Sequence, residues 1–335
     1  MRILVSMADN HIRKTFISEE GKQYLESLGE VVWNEKNENY SKEEFSQIIK
    51  DFDILIIGWM HEKIDSKMVK DAEKLKLIVH TGGTVGPVID KSIYEETDIK
   101  VISGNYYFAE SVAEGVLAYM LMALRKLDYY SANLKQGNWL DGEDCTTEGL
   151  LDQTVGIISL GTISKILIQM AKPFRVRFLV YSTNQDTDLE KEMGFKYASR
   201  EEIFKNCKII SVHTASNPQT VNFIDGKLFK LIGDNAIFIN TSRGPVVNDE
   251  DLIEELKKGK FRAVLDVFDE EPLSKTSPYL SLDNVTLYPH MAGPTMDRRA
   301  MIFKFLADDI KAFTEGGKLE NEITYDMAKK MTQTK

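Results

Sequence analysis

The sequence predicts an α/β protein built on parallel sheets and divided into two domains. Three observations predict it. Short apolar, β-branched runs alternate with longer helical stretches from the amino terminus onward, which is the pattern of strand–helix–strand units. At 335 residues the chain is long enough for two cores. Several of the apolar runs also turn abruptly polar at their ends, as buried parallel strands do where they feed loops at the carboxyl edge of a sheet.

The first domain opens with a strand over 2–7. A helix over 19–28, a strand over 31–33, a helix over 42–50 and a strand over 54–58 follow. Then come a helix over 66–72, a strand over 75–80, a helix over 88–97 and a strand over 101–103, so the first α/β unit ends near residue 104. Between the 75–80 strand and the next helix lies Thr81-Gly82-Gly83-Thr84-Val85-Gly86. Glycines at such a junction let backbone N–H groups approach an anion, although a plain strand-to-helix turn accounts for them equally. His61 and His80 stand near strand ends on the same side, where a lone histidine usually packs, and Trp59, Met60 and His61 make the loop after Gly58 bulky.

The run over 109–127 reads as a long amphipathic helix whose methionines serve packing, and a polar loop with Trp139 covers 136–152. A buried strand then starts at Thr154 and runs straight into a helix, the context of a dinucleotide-binding turn. Where that turn wants three glycines, this chain has Ser159, Gly161 and Ser164. Gly161 is the position at which the backbone meets a pyrophosphate, and Ser164 is small enough for close helix–strand packing. Thr162 and Ile163 open the helix, whose amino-terminal amides favour a phosphate, with Lys165 one turn in.

A strand over 176–181 ends at Ser182, followed by Thr183 and Asn184. An acidic residue about 20 positions past the glycines would mark NAD. No carboxylate stands there to repel a 2′-phosphate, and no arginine follows to bind one, so NAD and NADP remain open. The strand over 208–212 leads into His213-Thr214-Ala215. Helices are expected over 222–231 and 249–258, the second capped by Asn248 and ending at Gly259. Asp266 falls inside an apolar strand over 263–268, where a buried carboxylate needs hydrogen-bonding partners. A helix over 295–313 follows, and the tail returns to the first domain.

The stretch from Ala236 to Gly293 organises the rest. Each of its three apolar runs is followed by a polar residue suited to chemistry: Arg243, Glu271 and His290. In an open α/β sheet the loops at the carboxyl ends of the strands form the ligand crevice, so residues distant in sequence can converge there. An arginine grips a carboxylate through two parallel hydrogen bonds. An imidazole gives or takes the proton on a carbonyl oxygen, and a neighbouring carboxylate orients it. Each residue alone has an ordinary structural explanation; the three together at strand ends suit reduction of a 2-oxo acid.

Composition removes other classes. A net charge of −10, without a lysine/arginine-rich block, argues against nucleic acid as a partner. Histidines are scattered without ligand spacing, so no metal is expected. Only Cys145 and Cys207 are present, which excludes a disulfide framework and fits a reducing cytoplasm. The opening apolar run is too short for a signal peptide, and the apolar stretch from Gly115 to Leu124 is too short to span a bilayer.

At Asn240-Thr-Ser-Arg-Gly244, Asp266-Val-Phe-Asp-Glu-Glu-Pro272 and Pro289-His-Met-Ala-Gly293 the chain resembles the D-isomer-specific 2-hydroxyacid dehydrogenase family. The resemblance extends from about residue 75 to 313. It implies two Rossmann-like or flavodoxin-like domains with a cleft between them: residues 1–104 plus about 300–335 for substrate, and about 105–299 for nucleotide. It implies Arg243, Glu271 and His290 as the catalytic trio, with Gly82, Gly83 and Thr84 facing the substrate carboxylate. Gly161, Thr162, Ile163, Ser182, Thr214, Thr241, Ser242 and Gly293 fall at cofactor positions, and Asp266 at the position used on the nicotinamide carboxamide. The 109–127 helix resembles the family's crossing helix, and Trp139 stands where relatives pack a tryptophan against a second subunit, implying a homodimer. The expected activity is NAD(P)-dependent interconversion of a 2-oxo acid and a D-2-hydroxy acid. The altered glycine turn motivates a competing expectation, a nucleotide-responsive regulatory protein with little turnover.

Overall fold

The computed structural model describes residues 1–333, the side chain of Asp144 excepted. The chain divides into two compact units, one formed by Met1–Ala109 with Pro294–Lys335 and the other by Glu110–Gly293. Each is a parallel α/β layer structure.

The first unit holds a five-stranded sheet, β2-β1-β3-β4-β5, in which every pairing is parallel. The strands are β1 (Arg2–Val5), β2 (Glu30–Trp33), β3 (Ile54–Ile57), β4 (Leu77–His80) and β5 (Lys100–Ser103). All four residues of β3 and all four of β4 are buried, as expected of central strands covered on both faces. One face packs under α3 (Lys42–Ile48) and α4 (Lys91–Glu96), around Phe45, Ile49 and Ile93. The other packs under α1 (His11–Phe16), α2 (Glu19–Leu28) and α12 (Met296–Thr314), around Phe16, Leu25, Phe303 and Leu306. Local sequence starts these helices: Asn10, Ser18 and Ser41 each accept backbone N–H groups at the first turn, and Ser41 forms a capping box with Glu44. The segment over 66–72, expected as a helix, is a run of turns instead. Lys67, Lys70 and Asp71 are exposed and Met68, Val69 and Ala72 are buried, but the backbone closes three-residue turns, Lys70 N–H to Lys67 O at 3.5 Å and Ala72 N–H to Val69 O at 2.9 Å. The expected 88–97 helix shrinks to α4 because Asp90 caps it, accepting from Ser92 N–H.

The second unit holds a seven-stranded sheet, β12-β11-β10-β9-β6-β7-β8, again parallel throughout. Its strands are β6 (Thr154–Ile158), β7 (Arg177–Tyr181), β8 (Lys196–Tyr197), β9 (Ile209–Val212), β10 (Ile237–Asn240), β11 (Arg262–Leu265) and β12 (Val285–Leu287). The order reverses at β6 and β9, the switch point at which doubly wound sheets take ligands. Helices α7 (Thr162–Met170), α8 (Thr187–Met193), α9 (Arg200–Asn206), α10 (Gly226–Phe229) and α11 (Asp249–Leu256) join the strands. A core of Phe204, Phe229, Phe238, Phe261 and Tyr279 fills one face. Asn248 caps α11 by accepting from Asp251 N–H, as its sequence suggests. The expected 222–231 helix contracts to α10, because Asp225 supplies the cap only there. Cys207 is the residue that ends α9, and burial pushes its thiol up to about 12.

The long helix is α5 (Asn105–Arg125), followed by α6 (Leu127–Lys135) after a break at Lys126, whose backbone is left-handed (φ 51°). By length and composition alone α5 would reach across a bilayer, with 21 residues that include an 18-residue stretch of mean hydropathy 1.3. Its buried positions nevertheless follow a packed-helix stripe through Ala113, Val116, Met120 and Leu124.

Candidate active site

Arg243, Glu271 and His290 all belong to the second unit, each a few residues past the end of a neighbouring strand. Arg243 follows β10. There the buried Asn240 side chain organises the turn: its Oδ1 accepts from Ser242 N–H at 3.0 Å and Ser242 Oγ–H at 2.9 Å, and its Nδ2 donates to Arg243 O at 3.2 Å. The Arg243 guanidinium donates to Ser242 O at 2.6 Å. Burial lowers its pKa, against the opposing pull of the Glu271 charge.

Glu271 sits in the loop after β11. Its Oε1 accepts from Phe268 N–H at 3.0 Å, and its Oε2 lies 2.8 Å from His290 Nδ1. With Nδ1 engaged, the other ring nitrogen, Nε2, is left to face a reactant. The His290 side chain is 47% exposed and that of Glu271 36%, so the pair is open to a small molecule. The arginine and glutamate loops touch main chain to main chain. A Cβ on Gly244 would fall 2.0 Å from the carbonyl carbon of Phe268, so only glycine permits the approach.

Asp266 is corrected by the structure: β11 ends at Leu265, and Asp266 is the first residue beyond the strand. Its carboxylate is 1% exposed and has three donors from its own unit. Oδ1 accepts from Tyr119 OH at 3.0 Å and Met291 N–H at 2.8 Å, and Oδ2 accepts from Ala292 N–H at 3.0 Å. Burial raises its pKa and these bonds oppose the shift. Nothing in the sequence pairs Tyr119 with Asp266, since 147 residues separate them.

The dinucleotide turn lies where β6 meets α7. Ser159 takes a left-handed conformation (φ 79°), the one the missing glycine would have taken without strain. Hydroxyls hold it there. Ser159 Oγ is 2.8 Å from Thr214 Oγ1, and the buried Ser164 hydroxyl donates to Ser159 O at 2.7 Å. Gly161 is exposed, no side chain caps α7, and a Cβ on Gly161 would meet nothing within 4 Å. Free amides at a helix start and an open glycine fit a phosphate-bearing cofactor, and after β10 the buried Oγ1 of Thr241 has no partner among the described residues. Thr162 is exposed beside Gly161, and Ile163 is partly buried. Ser182 directly follows β7 and is half-buried; Ser242 is buried with its hydroxyl on Asn240, and Gly293 is half-buried.

In the first unit the Thr81–Gly86 loop follows β4. The Gly83 carbonyl accepts from Ser103 Oγ at 2.9 Å, and Gly82 lies against the His80 and Trp59 rings. Thr84 Oγ1 donates to Thr332 O at 3.2 Å, and Gly86 lies against the backbone of Thr332 and Gln333. That contact with the tail explains a small residue at Gly86. His61 and His80 are buried, and His213 is half-buried with its Nδ1 inside; desolvation pushes His80 and His213 down to about 4 and lowers His61. No cluster of potential metal ligands exists among the described residues.

Comparison with known proteins follows the same outline. The family profile described as "D-isomer specific 2-hydroxyacid dehydrogenase, NAD binding domain" matches residues 117–292. The chain is 33% identical over 309 residues to a D-3-phosphoglycerate dehydrogenase of Methanocaldococcus jannaschii; the match covers 92% of this chain but 58% of that relative's length. It is 31% identical over 280 residues to a glyoxylate reductase of Thermococcus litoralis, covering 81% of this chain and 84% of the relative. Among solved structures, a D-lactate dehydrogenase with NAD+ from Lactobacillus jensenii shares the fold, with a TM-score of 0.77 at 21% identity over 97% of this chain and all of the other. On the profile match and the Thermococcus relative, the chain belongs to the D-isomer specific 2-hydroxyacid dehydrogenase family.

Proposed function

We propose that this protein interconverts a 2-oxo acid and a D-2-hydroxy acid with a nicotinamide dinucleotide. The observation that carries the reading is the 2.8 Å pairing of His290 Nδ1 with Glu271, beside an arginine loop held against the Glu271 loop at Gly244. Family membership supports the D configuration and a nicotinamide cofactor.

In the direction of reduction, Arg243 binds the substrate carboxylate and draws electron density from the adjacent carbonyl. The bound nicotinamide supplies a hydride to C2 when reduced. The carbonyl oxygen gains the electron pair of the broken C–O π bond, and His290 transfers the proton on Nε2 to that oxygen. Glu271 fixes the imidazole so that Nε2 faces outward, and bulk solvent then restores the proton to His290. The amides at Gly161, Thr162 and Ile163 would hold the pyrophosphate, Ser182 and Thr214 the adenosine side, and Thr241, Ser242, Gly293 and the remaining lone pair of Asp266 the nicotinamide side. The backbone of Gly82, Gly83 and Thr84 is offered for the substrate carboxylate by the family resemblance alone. Without a carboxylate at Ser182 the site suits NAD and NADP alike.

A second copy of the chain is the proposed partner. No residue of α6 is buried, and Leu127, Tyr129, Leu134 and Trp139 are exposed, Trp139 at 77%. Apolar side chains on that scale are usually covered.

The experiment is reduction of a panel of 2-oxo acids, including glyoxylate, hydroxypyruvate, pyruvate and bulkier acids, with NADH and NADPH. His290→Ala is expected to lose about two to four orders of magnitude in kcat, the contribution typical of a general acid. Turnover by His290→Ala equal to the parent's would overturn the mechanism. Tight dinucleotide binding with no reduction of any acid would favour a regulatory protein instead.

A further inference from the structure

His290 takes a left-handed backbone conformation (φ 51°), an uncommon one for a histidine, which persists only where the surroundings over-determine it. What determines it is the chain just beyond. The next two amides, Met291 N–H and Ala292 N–H, converge on the two oxygens of Asp266 at 2.8 and 3.0 Å. Consecutive N–H groups cupping a carboxylate in this way form an anion nest, so the histidine loop is folded around a buried charge. Asp266 in turn needs its own orientation fixed, and Tyr119 supplies it by donating its hydroxyl to Oδ1 at 3.0 Å. The tyrosine is held independently of that bond. Its ring stacks on Tyr288, two residues before His290, with centroids 4.6 Å apart and planes within 1°. One turn earlier on α5, Gly115 lies against the Ala292 backbone, where a Cβ would come within 2.9 Å of the Ala292 carbonyl oxygen.

We infer that Tyr119, acting through Asp266, is a positioning residue for His290, setting the angle at which its imidazole meets Glu271. The inference rests on the proposed proton-transfer role of His290. It differs from a cofactor contact by Asp266 because the three donors come from the protein itself, and because Tyr119 acts one residue removed. The relay is α5 to strand end to histidine loop, entirely within the second unit.

The test is Tyr119→Phe, which deletes one hydroxyl and keeps the ring stack. Asp266→Asn is the second variant, retaining shape while replacing one acceptor with a donor that faces the loop amides. Two readouts are taken on the full chain. The first is the ring-nitrogen shifts of isotope-labelled histidine, with His290 assigned through His290→Gln and the unpaired state defined by Glu271→Gln. Tyr119→Phe is expected to move the His290 signals toward the Glu271→Gln positions. The second is steady-state kinetics of Tyr119→Phe, with a fall of roughly ten-fold in kcat and little change in KM or in the dissociation constant for NADH, because misplaced reacting groups cost rate rather than binding.

His290 ring shifts identical to the parent's in both variants would overturn the inference. So would shifted signals with unchanged kcat in Tyr119→Phe, and so would a loss confined to NADH affinity in that variant. A parent inactive on every 2-oxo acid would count against the proposed function alone, and the ring shifts would still decide whether Tyr119 positions His290.

Discussion

Acid should unfold this protein through two histidines outside the His290–Glu271 pair. His80 belongs to the first unit and His213 to the second; neither ring nitrogen Nδ1 has a hydrogen-bond partner, and burial pushes both imidazoles down to about 4 from an ordinary 6.5. A histidine with a depressed folded pKa is neutral in the fold and takes up a proton on unfolding. Its contribution is therefore fully present above about pH 6.5 and is lost as the pH falls toward 4. At about 1.4 kcal/mol per pH unit, a gap of about two and a half units is worth about 3 kcal/mol for each histidine, most of it gone by pH 4. Each unit bears one such loss, a large share of the stability of an ordinary domain. Urea unfolding at closely spaced pH values between 7 and 4 measures the slope, and His213→Gln and His80→Gln isolate each share. Each variant should start less stable than the parent near neutrality and lose less on acidification, by about 3 kcal/mol at pH 4. Parallel parent and variant curves over that range would refute the assignment of neutral buried imidazoles.

Three further outcomes follow from the same geometry. Ser159→Ala should be about 1 kcal/mol less stable than Ser159→Gly by thermal melting, because both lose the hydroxyl bond to Thr214 but only glycine relieves the φ of 79°. Arg243→Lys should cut kcat/KM for the best 2-oxo acid by about two orders of magnitude, with NADH titration little altered, because a point charge replaces a two-pronged grip. Glu271→Gln keeps an oxygen for Phe268 N–H, so its melting temperature should stay near the parent's while kcat falls by about ten- to a hundred-fold.

Much of the fold was legible because buried parallel strands advertise themselves as apolar runs. Ile54–Ile57, Ile209–Val212 and Ile237–Asn240 are such runs, with every residue buried. Short polar helices were harder. His11–Phe16, Thr187–Met193 and Arg200–Asn206 went unread, although Asn10, Asp186 and Ser199 are cap residues that could have flagged them. The helix expected over 66–72 from the α/β alternation is a run of turns, because alternation places a connection between two strands without fixing its backbone. At the site, residue type and strand-end position singled out Arg243, Glu271 and His290. The groups that hold them were invisible for a different reason. Asn240 acts through its amide geometry, and Tyr119 reaches Asp266 across 147 residues, a pairing that only the folded topology creates. Thr84 and Gly86 likewise make sense only once the carboxyl-terminal tail lies over them.

Gly244 ties the guanidinium to the carboxylate more firmly than any side-chain bond between them would. Because its missing Cβ lets two peptide planes meet, the distance between the two loops is written in backbone, where thermal motion is small and no rotamer can relax it. A methyl group added there would leave every reactive group in the sequence and still spread the clamp, so this site can be disabled by a residue that has no functional atom to lose.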